Sequence, residues 1–495
     1  MSDPGPDGDL SGGPRDAAVS PEEPRRAGVE TDRRVTLWLG CLVSTLLLLF
    51  SAGAITGSDG PAMYEVARSV VEHGDLTVPP SLGFPGRGGH FYATHGVGLP
   101  LVSIVPYVLA RPIADATSHP REISEALVAC ILPVIGGLLA AALYALSRRL
   151  GGGVGTSLFV AVGGVAGTFL LVYLKDFYSE PLAALFVVVS IERVLAGRPL
   201  VGGIAAGAAA LTRPQLFALA PILLWRISTE GGRRAAVKAG APIAAAGMLA
   251  LAYNVARFGD PFQFDPLQGR VHPGGLIQGM FGLLVHPRKS IILFAPVVVL
   301  LPFALRKLWS WNRTAAWLIG GNLVVVFLIT AAWPAWDGGW SWGPRLLLPG
   351  VVPAIPAIAP WLDEGGRGRR VAAAVLVTLG FLVSAPAVLI SSRAQLLDHP
   401  PARGPDVIRQ YELVPSTVSF TIRHLQVEGV RSERYVDLWQ IRAIRLAGGG
   451  AAAVATAISA ALLALGAVAA VRLRRSVSAS RGGTATVSRT TPSPP

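Results

Sequence analysis

Long apolar runs separated by short polar stretches dominate the chain. They fall at residues 35 to 56, 97 to 111, 123 to 147, 154 to 174, 181 to 197, 200 to 226, 236 to 256, 290 to 305, 314 to 332, 346 to 361, 371 to 391 and 447 to 471. A helix of about 20 apolar residues crosses a bilayer, so the pattern predicts an all-α polytopic membrane protein with about twelve transmembrane helices. Residues 1–34 are rich in Pro, Gly, Asp, Glu and Arg, and 472–495 pass from an Arg cluster into Ser, Thr and Pro. Neither tail carries enough apolar surface to fold alone, and both are expected to be disordered. Between them the expected organisation is a membrane domain with outer loops over 35–391, an outer loop over 392–446 and a last transmembrane helix over 447–471. Val35 to Thr56 lies far from the start and lacks a small-residue cleavage site, so it reads as a retained helix and not a removed signal. Within 392–446, Thr417 to Ile422 alternates with period two and is a candidate strand.

Charge decides which runs cross. Lys and Arg favour the cytoplasmic side of a membrane. If 97–111 spanned fully and 200–226 were one helix, Arg148, Arg149, Arg193 and Arg198 would all lie outside. Treating 97–111 as re-entrant or interfacial, and 200–226 as a hairpin turning at Arg213-Pro214, moves those four inside and leaves Arg111 and Arg121 outside. Both terminal tails are then cytoplasmic, and loops 57–122, 257–289, 333–345 and 392–446 face outward. The protein is expected in the plasma membrane with any active site on its outer face.

Composition supports a lipid solvent: 52% of residues are hydrophobic and 15% charged, too few polar groups to coat a soluble body of 495 residues. The net charge of +13 does not imply nucleic acid, because the basic residues cluster between apolar runs and at the ends, as positive-inside topology requires. Cys41 and Cys130 lie in apolar runs without partners at ligand spacing.

The topology gathers polar residues on one face: Asp59, Glu65, Asp75, His90 and His95 from the first loop, Asp176 and Glu180 from a short later loop, and Arg213 at the hairpin. Asp59 precedes an amphipathic stretch, Pro61 to Val71, whose apolar positions recur at helical spacing. Helix capping alone would account for an Asp there. His95 reads equally as a structural loop histidine, Glu180 before Pro181 as an acid at a helix start, and Arg213 and Arg345 as snorkelling arginines. Trp333, Trp336, Trp340 and Trp342 read as an interfacial belt, with sugar stacking as the other role open to such rings.

The succession Asp59, Tyr64, Ala67-Arg68, Gly74-Asp75-Leu76, Tyr92, His95, Pro100 resembles the first outer loop of the GT-C integral-membrane glycosyltransferases that use polyprenyl-phosphate sugars. That group includes the protein O-mannosyltransferases and the lipid A aminoarabinose transferase. Leu174-Lys-Asp-Phe-Tyr-Ser-Glu180-Pro181 looks like its second acidic motif, and Gly207-Ala-Ala-Ala-Leu-Thr-Arg213-Pro like its Leu-Thr-Lys turn, with Arg in place of Lys. Trp336-Asp-Gly-Gly-Trp-Ser-Trp-Gly-Pro-Arg345 resembles a pattern of bacterial members. The motifs occur in the family's order over roughly residues 50 to 360.

The resemblance implies transfer of a sugar from a polyprenyl-phosphate donor to a hydroxyl of a cell-envelope glycan, lipid or protein. Asp59 would be the base and Glu180 a second catalytic carboxylate. Burial and the neighbouring Glu180 are expected to raise the carboxyl pKa of Asp59. Arg213 and Arg345 suit the departing phosphate, while Tyr64, His95, Asp176 and Trp340 are candidate substrate contacts. Some relatives hold a divalent cation at the carboxylates, and Asp59 and Glu180, with His95, supply the donor types for one. Two other classes stay open: a lipid or solute transporter or flippase, and a catalytically inactive paralogue that keeps the fold.

Overall fold

A computed structural model describes residues 22–56, 59–264, 275–339, 341–389 and 438–487. Helix α1 (Glu22–Leu49) begins inside the tail expected to be disordered. Arg34 bonds Glu30 one turn earlier at 2.5 Å, and Asp32 accepts from Tyr144 Oη at 2.7 Å and Arg148 Nε at 2.8 Å. These anchors carry the helical ladder of the apolar run back into polar sequence, which composition alone did not reveal. The candidate strand Thr417 to Ile422, and most of the loop 392–446 that holds it, lie outside the described residues.

The first loop carries α2 (Gly60–Glu72), a two-residue ladder of β1 (Phe84–Pro85) on β2 (Phe91–Tyr92), and α3 (Gly98–Asp115). After it come α4 (Pro120–Ala129), α5 (Ile131–Arg149), α6 (Val154–Ala166), α7 (Leu170–Tyr173), α8 (Glu180–Leu195), α9 (Pro199–Thr212) and α10 (Ala220–Phe258). Beyond these lie α11 (Leu276–Val285), α12 (Ile291–Phe294), α13 (Leu301–Trp311), α14 (Arg313–Ala332), α15 (Leu348–Val351), α16 (Ile358–Asp363), α17 (Arg367–Leu389) and α18 (Trp439–Val487). The last runs through much of the tail expected to be disordered after residue 471.

Among the described residues six helical stretches are long and apolar enough to cross a membrane: Pro120–Arg149, Pro214–Phe258, Arg313–Ala332, Arg345–Asp363, Arg367–Leu389 and Trp439–Ser480. The second is two arms. Gly232, at φ 75° and ψ 177°, leaves helical geometry in a conformation that glycine reaches without steric cost, and Arg226 and Lys238 flank the bend. The expected break at Arg213-Pro214 is also present: Arg213 is extended, and Pro214–Leu219 forms a 3-10 segment before α10.

The region 97–111 begins and ends at one end of the bundle. Gly98 abuts Thr212, Tyr107 Oη donates to Glu72 of α2 at 2.5 Å, and Tyr64 of α2 donates to Ser124 of α4 at 2.9 Å. Apolar side chains such as Val105, Leu109 and Ile113 are left exposed along α3, as an interfacial helix requires. At the opposite end Arg148 meets Asp32, and Arg149 and Arg193 meet Glu192. Helix α18 returns alongside α1, from the Trp439 N–H on Ser51 O at 3.0 Å to the Arg472 guanidinium 6.0 Å from the Trp38 ring. The described beginning and end of the chain therefore share the arginine-rich end.

Candidate functional site

Asp59 stands where α1 gives way to α2, and its side chain makes no cap bond to that helix. The capping explanation is displaced by tertiary contacts. Gly60 fits under the turn that follows α7, where an added Cβ would lie 2.8 Å from Phe177 O. That approach sets the Asp59 carboxylate beside residues far along the chain: Arg345 Nη1 donates to Asp59 Oδ2 at 2.7 Å, and His95 Nε2 lies 3.3 Å from the same oxygen.

Glu180 opens α8 and is buried. It pairs with Arg213, which Pro214 and the end of α9 hold in extended geometry, and lies 3.6 Å from Arg345 Nη1. Two carboxylates and two guanidiniums thus interlock in a buried cluster. Arg213 Nε and Glu180 Oε2 are buried within it without hydrogen-bond partners. Such atoms carry a desolvation cost and mark where a ligand's polar groups would be rewarded.

The Asp59 carboxyl departs from expectation. Burial pushes its pKa up, but Arg345, then His95 and Arg213, outweigh burial and hold it well below the usual carboxylate range. Against the rise expected from burial and a like-charged Glu180, Arg345, His95 and Arg213 together reverse the sign.

Arg345 is set by the glycine-rich loop of the Trp336–Arg345 motif, which folds around a residue outside that motif, Lys289. Gly338, Gly339 and Gly343 all have positive φ, and the buried Lys289 sits within their curve. Its ammonium donates to Gly339 O, Ser341 O and Ser341 Oγ, each at 2.9 Å, and to Gly343 O at 3.3 Å. Burial, with Arg345 and Arg288 nearby, pushes the Lys289 pKa down to about 7 against the opposing pull of Asp337. Arg345 Nε bonds Gly338 O at 3.2 Å, and its guanidinium lies 5.0 Å from the Tyr178 ring centroid. In the sequence Lys289 is one more basic residue at a loop end, and nothing local distinguishes it from a snorkelling charge.

Other expected contacts are placed elsewhere. Tyr64 lies on the buried face of α2, bonded to Ser124 and edge-on to Tyr107 at 5.8 Å; helical spacing turns it into the α2–α3–α4 core and away from the cluster. Asp176 accepts from Phe177 N at 2.9 Å and Thr56 N at 3.4 Å, and so fastens the turn to the end of α1. Trp342 is not in an interfacial belt but fully buried, edge-on to Phe294 at 5.7 Å. Trp340 lies outside the described residues. The arrangement does not fit a divalent cation: guanidiniums already occupy both carboxylates, and no group of three His, Cys, Asp or Glu side chains with metal-holding geometry occurs among the described residues.

No protein-family model and no curated protein matches the sequence. Solved structures do match in fold. An oligosaccharyltransferase from Archaeoglobus fulgidus, in the apo form, is 12% identical with a TM-score of 0.50 over 78% of this chain and 60% of that one. The same enzyme tethered with an acceptor peptide is 17% identical at TM-score 0.50, over 78% and 59%. This chain therefore spans about three fifths of that enzyme's length. ArnT from Cupriavidus metallidurans bound to undecaprenyl phosphate is 15% identical with a TM-score of 0.49, over 92% and 77%. The chain has the GT-C fold of membrane glycosyltransferases.

Proposed function

We propose that this membrane protein transfers a sugar from a polyprenyl-phosphate carrier to a hydroxyl acceptor of the cell envelope, at the outer face. The observation that carries this reading is the buried Asp59–Arg345–Glu180–Arg213 cluster with its unpartnered Arg213 Nε and Glu180 Oε2. A phosphate leaving an anomeric carbon gains negative charge, and a fixed guanidinium with an open donor stabilises it more in the transition state than in the ground state. A carboxylate oxygen without a partner suits a sugar hydroxyl. Asp59, kept ionised by Arg345, supplies the negative charge that draws the proton from the acceptor. A fold shared with an oligosaccharyltransferase agrees with this chemistry.

The test compares wild type with Asp59→Asn, both purified in matched detergent. The readout is free polyprenyl phosphate released from a panel of polyprenyl-phosphate sugars supplied with an envelope acceptor fraction. Release by wild type, reduced at least ~100-fold in a folded Asp59→Asn protein, is the expected result. Equal release by both proteins removes Asp59 from the chemistry. Carrier movement across vesicles without any release would instead support the transporter class.

A further inference from the structure

Lys289 is a buried cation held by oxygens that carry no formal charge. Its ammonium donates to Gly339 O, Ser341 O and Ser341 Oγ, each at 2.9 Å, and to Gly343 O at 3.3 Å. No carboxylate lies within ion-pair distance of it among the described residues. The turn that bears it is tightly bonded: Lys289 N and Ser290 N both donate to His286 O, at 2.9 and 2.8 Å, and Ser290 Oγ donates to Leu284 O at 2.6 Å while it caps α12. The charged and titratable groups around the ammonium are Asp337 and Arg345 on the glycine-rich loop, Arg288 and His286 on its own turn, and Tyr173 of α7, whose hydroxyl donates to Trp342 O at 2.7 Å.

The same loop carries Arg345. Arg345 N donates to Gly343 O at 3.1 Å and Arg345 Nε to Gly338 O at 3.2 Å, so Arg345 closes the loop at its end and Lys289 fills its centre. From that closure Arg345 Nη1 reaches Asp59 Oδ2 at 2.7 Å and lies 3.6 Å from Glu180 Oε1. An ammonium has three N–H donors and no lone pair, whereas a neutral amine has two donors and one lone pair. Four oxygens saturate the ammonium. The neutral amine must release one of them and turn its lone pair toward another, so loss of the proton loosens the loop and the guanidinium anchored to it.

We propose that Lys289 is a positioning residue for the transfer reaction: its ammonium, by gathering the oxygens of residues 339–343, holds Arg345 where it meets Asp59 and Glu180, and loss of that charge lowers turnover without closing the donor site. The proposal rests on the transferase reading and deepens it. Burial pushes the Lys289 pKa down to about 7, so turnover falls as pH rises through that value. Over the same range the folded protein gains stability, because the unfolded chain keeps the proton that the folded one has released. The opposite signs separate misplacement of Arg345 from unfolding. His286, held below its ordinary value of 6.5 by burial, Arg288 and Lys289, titrates on the acid side of this limb.

The experiment measures polyprenyl-phosphate release from pH 6 to 9 by wild type, Lys289→Met, Arg345→Lys and the double variant, with thermal unfolding of each in detergent. Lys289→Met is expected to lower kcat about 10- to 100-fold at pH 6, with the donor KM within about threefold of wild type, and to lack the alkaline fall in kcat that wild type shows. Because Lys289 acts through Arg345, the double variant loses no more than about threefold beyond Arg345→Lys alone. Ser341→Ala serves where Lys289→Met does not fold: it leaves the charge and removes one acceptor of the ammonium, so the alkaline limb moves to lower pH. Losses that multiply in the double variant overturn the proposal, as does an alkaline limb unchanged in Lys289→Met or Ser341→Ala, or a defect confined to KM. Wild type that releases nothing from any donor overturns the transferase reading and this proposal with it; an active wild type with any of the preceding results overturns only the role given to Lys289.

Discussion

Arg345 reaches Asp59 from 286 residues away and lies close to Glu180 as well. Lysine keeps the charge but cannot present a planar fork to two carboxylates. Loss of one charge-assisted hydrogen bond is worth about 1.5–3 kcal/mol, so Arg345→Lys is expected to lower kcat/KM about 10- to 100-fold in the release assay. Lys289 gives a pH signature. Its pKa falls from the ordinary lysine value of 10.5 to about 7 on folding, so between those values the unfolded chain binds the extra proton. Protonation then favours unfolding, and stability rises as pH increases from 7 toward 10. Thermal unfolding of wild type in detergent should shift upward over that range by more than that of Lys289→Met; equal shifts would remove Lys289 as the source. Residue identities in the cluster were legible because Asp59, His95, Glu180, Arg213 and Arg345 are polar groups at the ends of apolar runs. Lys289 was not legible, since its partners are mainly backbone carbonyls, which leave no mark in sequence.

At the scale of elements, small residues govern how closely helices approach. Gly203 and Gly207 lie one turn apart on α9, and an added Cβ would come within 2.2 Å of Ala239 O and 3.0 Å of Pro242 O on α10. This is the small-residue contact by which helices pack in lipid. Gly203→Leu is expected to destabilise the protein by ~1–3 kcal/mol, read as a lowered midpoint in detergent unfolding. The segment bearing His95 depends on a similar fit, because a Cβ on Gly96 would lie 2.5 Å from both Leu211 O and Thr212 O. Gly96→Val should therefore lower release at least ~10-fold, with kcat falling more than the donor KM rises; unchanged kcat would show that the fit does not set the ring. The hairpin at Arg213-Pro214 was readable from proline and charge parity. The broken helix from Arg345 to Asp363, with prolines at 349, 353, 356 and 360, is buried protein core, which its apolar run alone does not separate from a lipid-facing span.

At the scale of the whole molecule, the charged cluster and α3 lie at one end of the bundle, and Asp32, Arg148, Arg149 and Arg193 at the other. We propose, on the positive-inside tendency, that the second end is cytoplasmic. In a background with Cys41 and Cys130 replaced, Ser118→Cys should react with an impermeant thiol reagent on intact cells. Arg233→Cys, beside the Gly232 bend, should react only after permeabilisation; the reverse pattern would invert the topology. Sequence alone was enough to place the chain in lipid, because a dozen long apolar runs leave too few polar residues to coat a soluble body, and it fixed which side chains the loops offer, because position along the chain fixes membership of a loop. Only the tertiary structure decided that Asp59 meets Arg345 and His95, and that its carboxyl is driven down and not up. Burial and Coulomb attraction act in opposite directions on a buried acid, and their balance depends on distances of a few ångströms between residues that the order of the chain leaves unspecified.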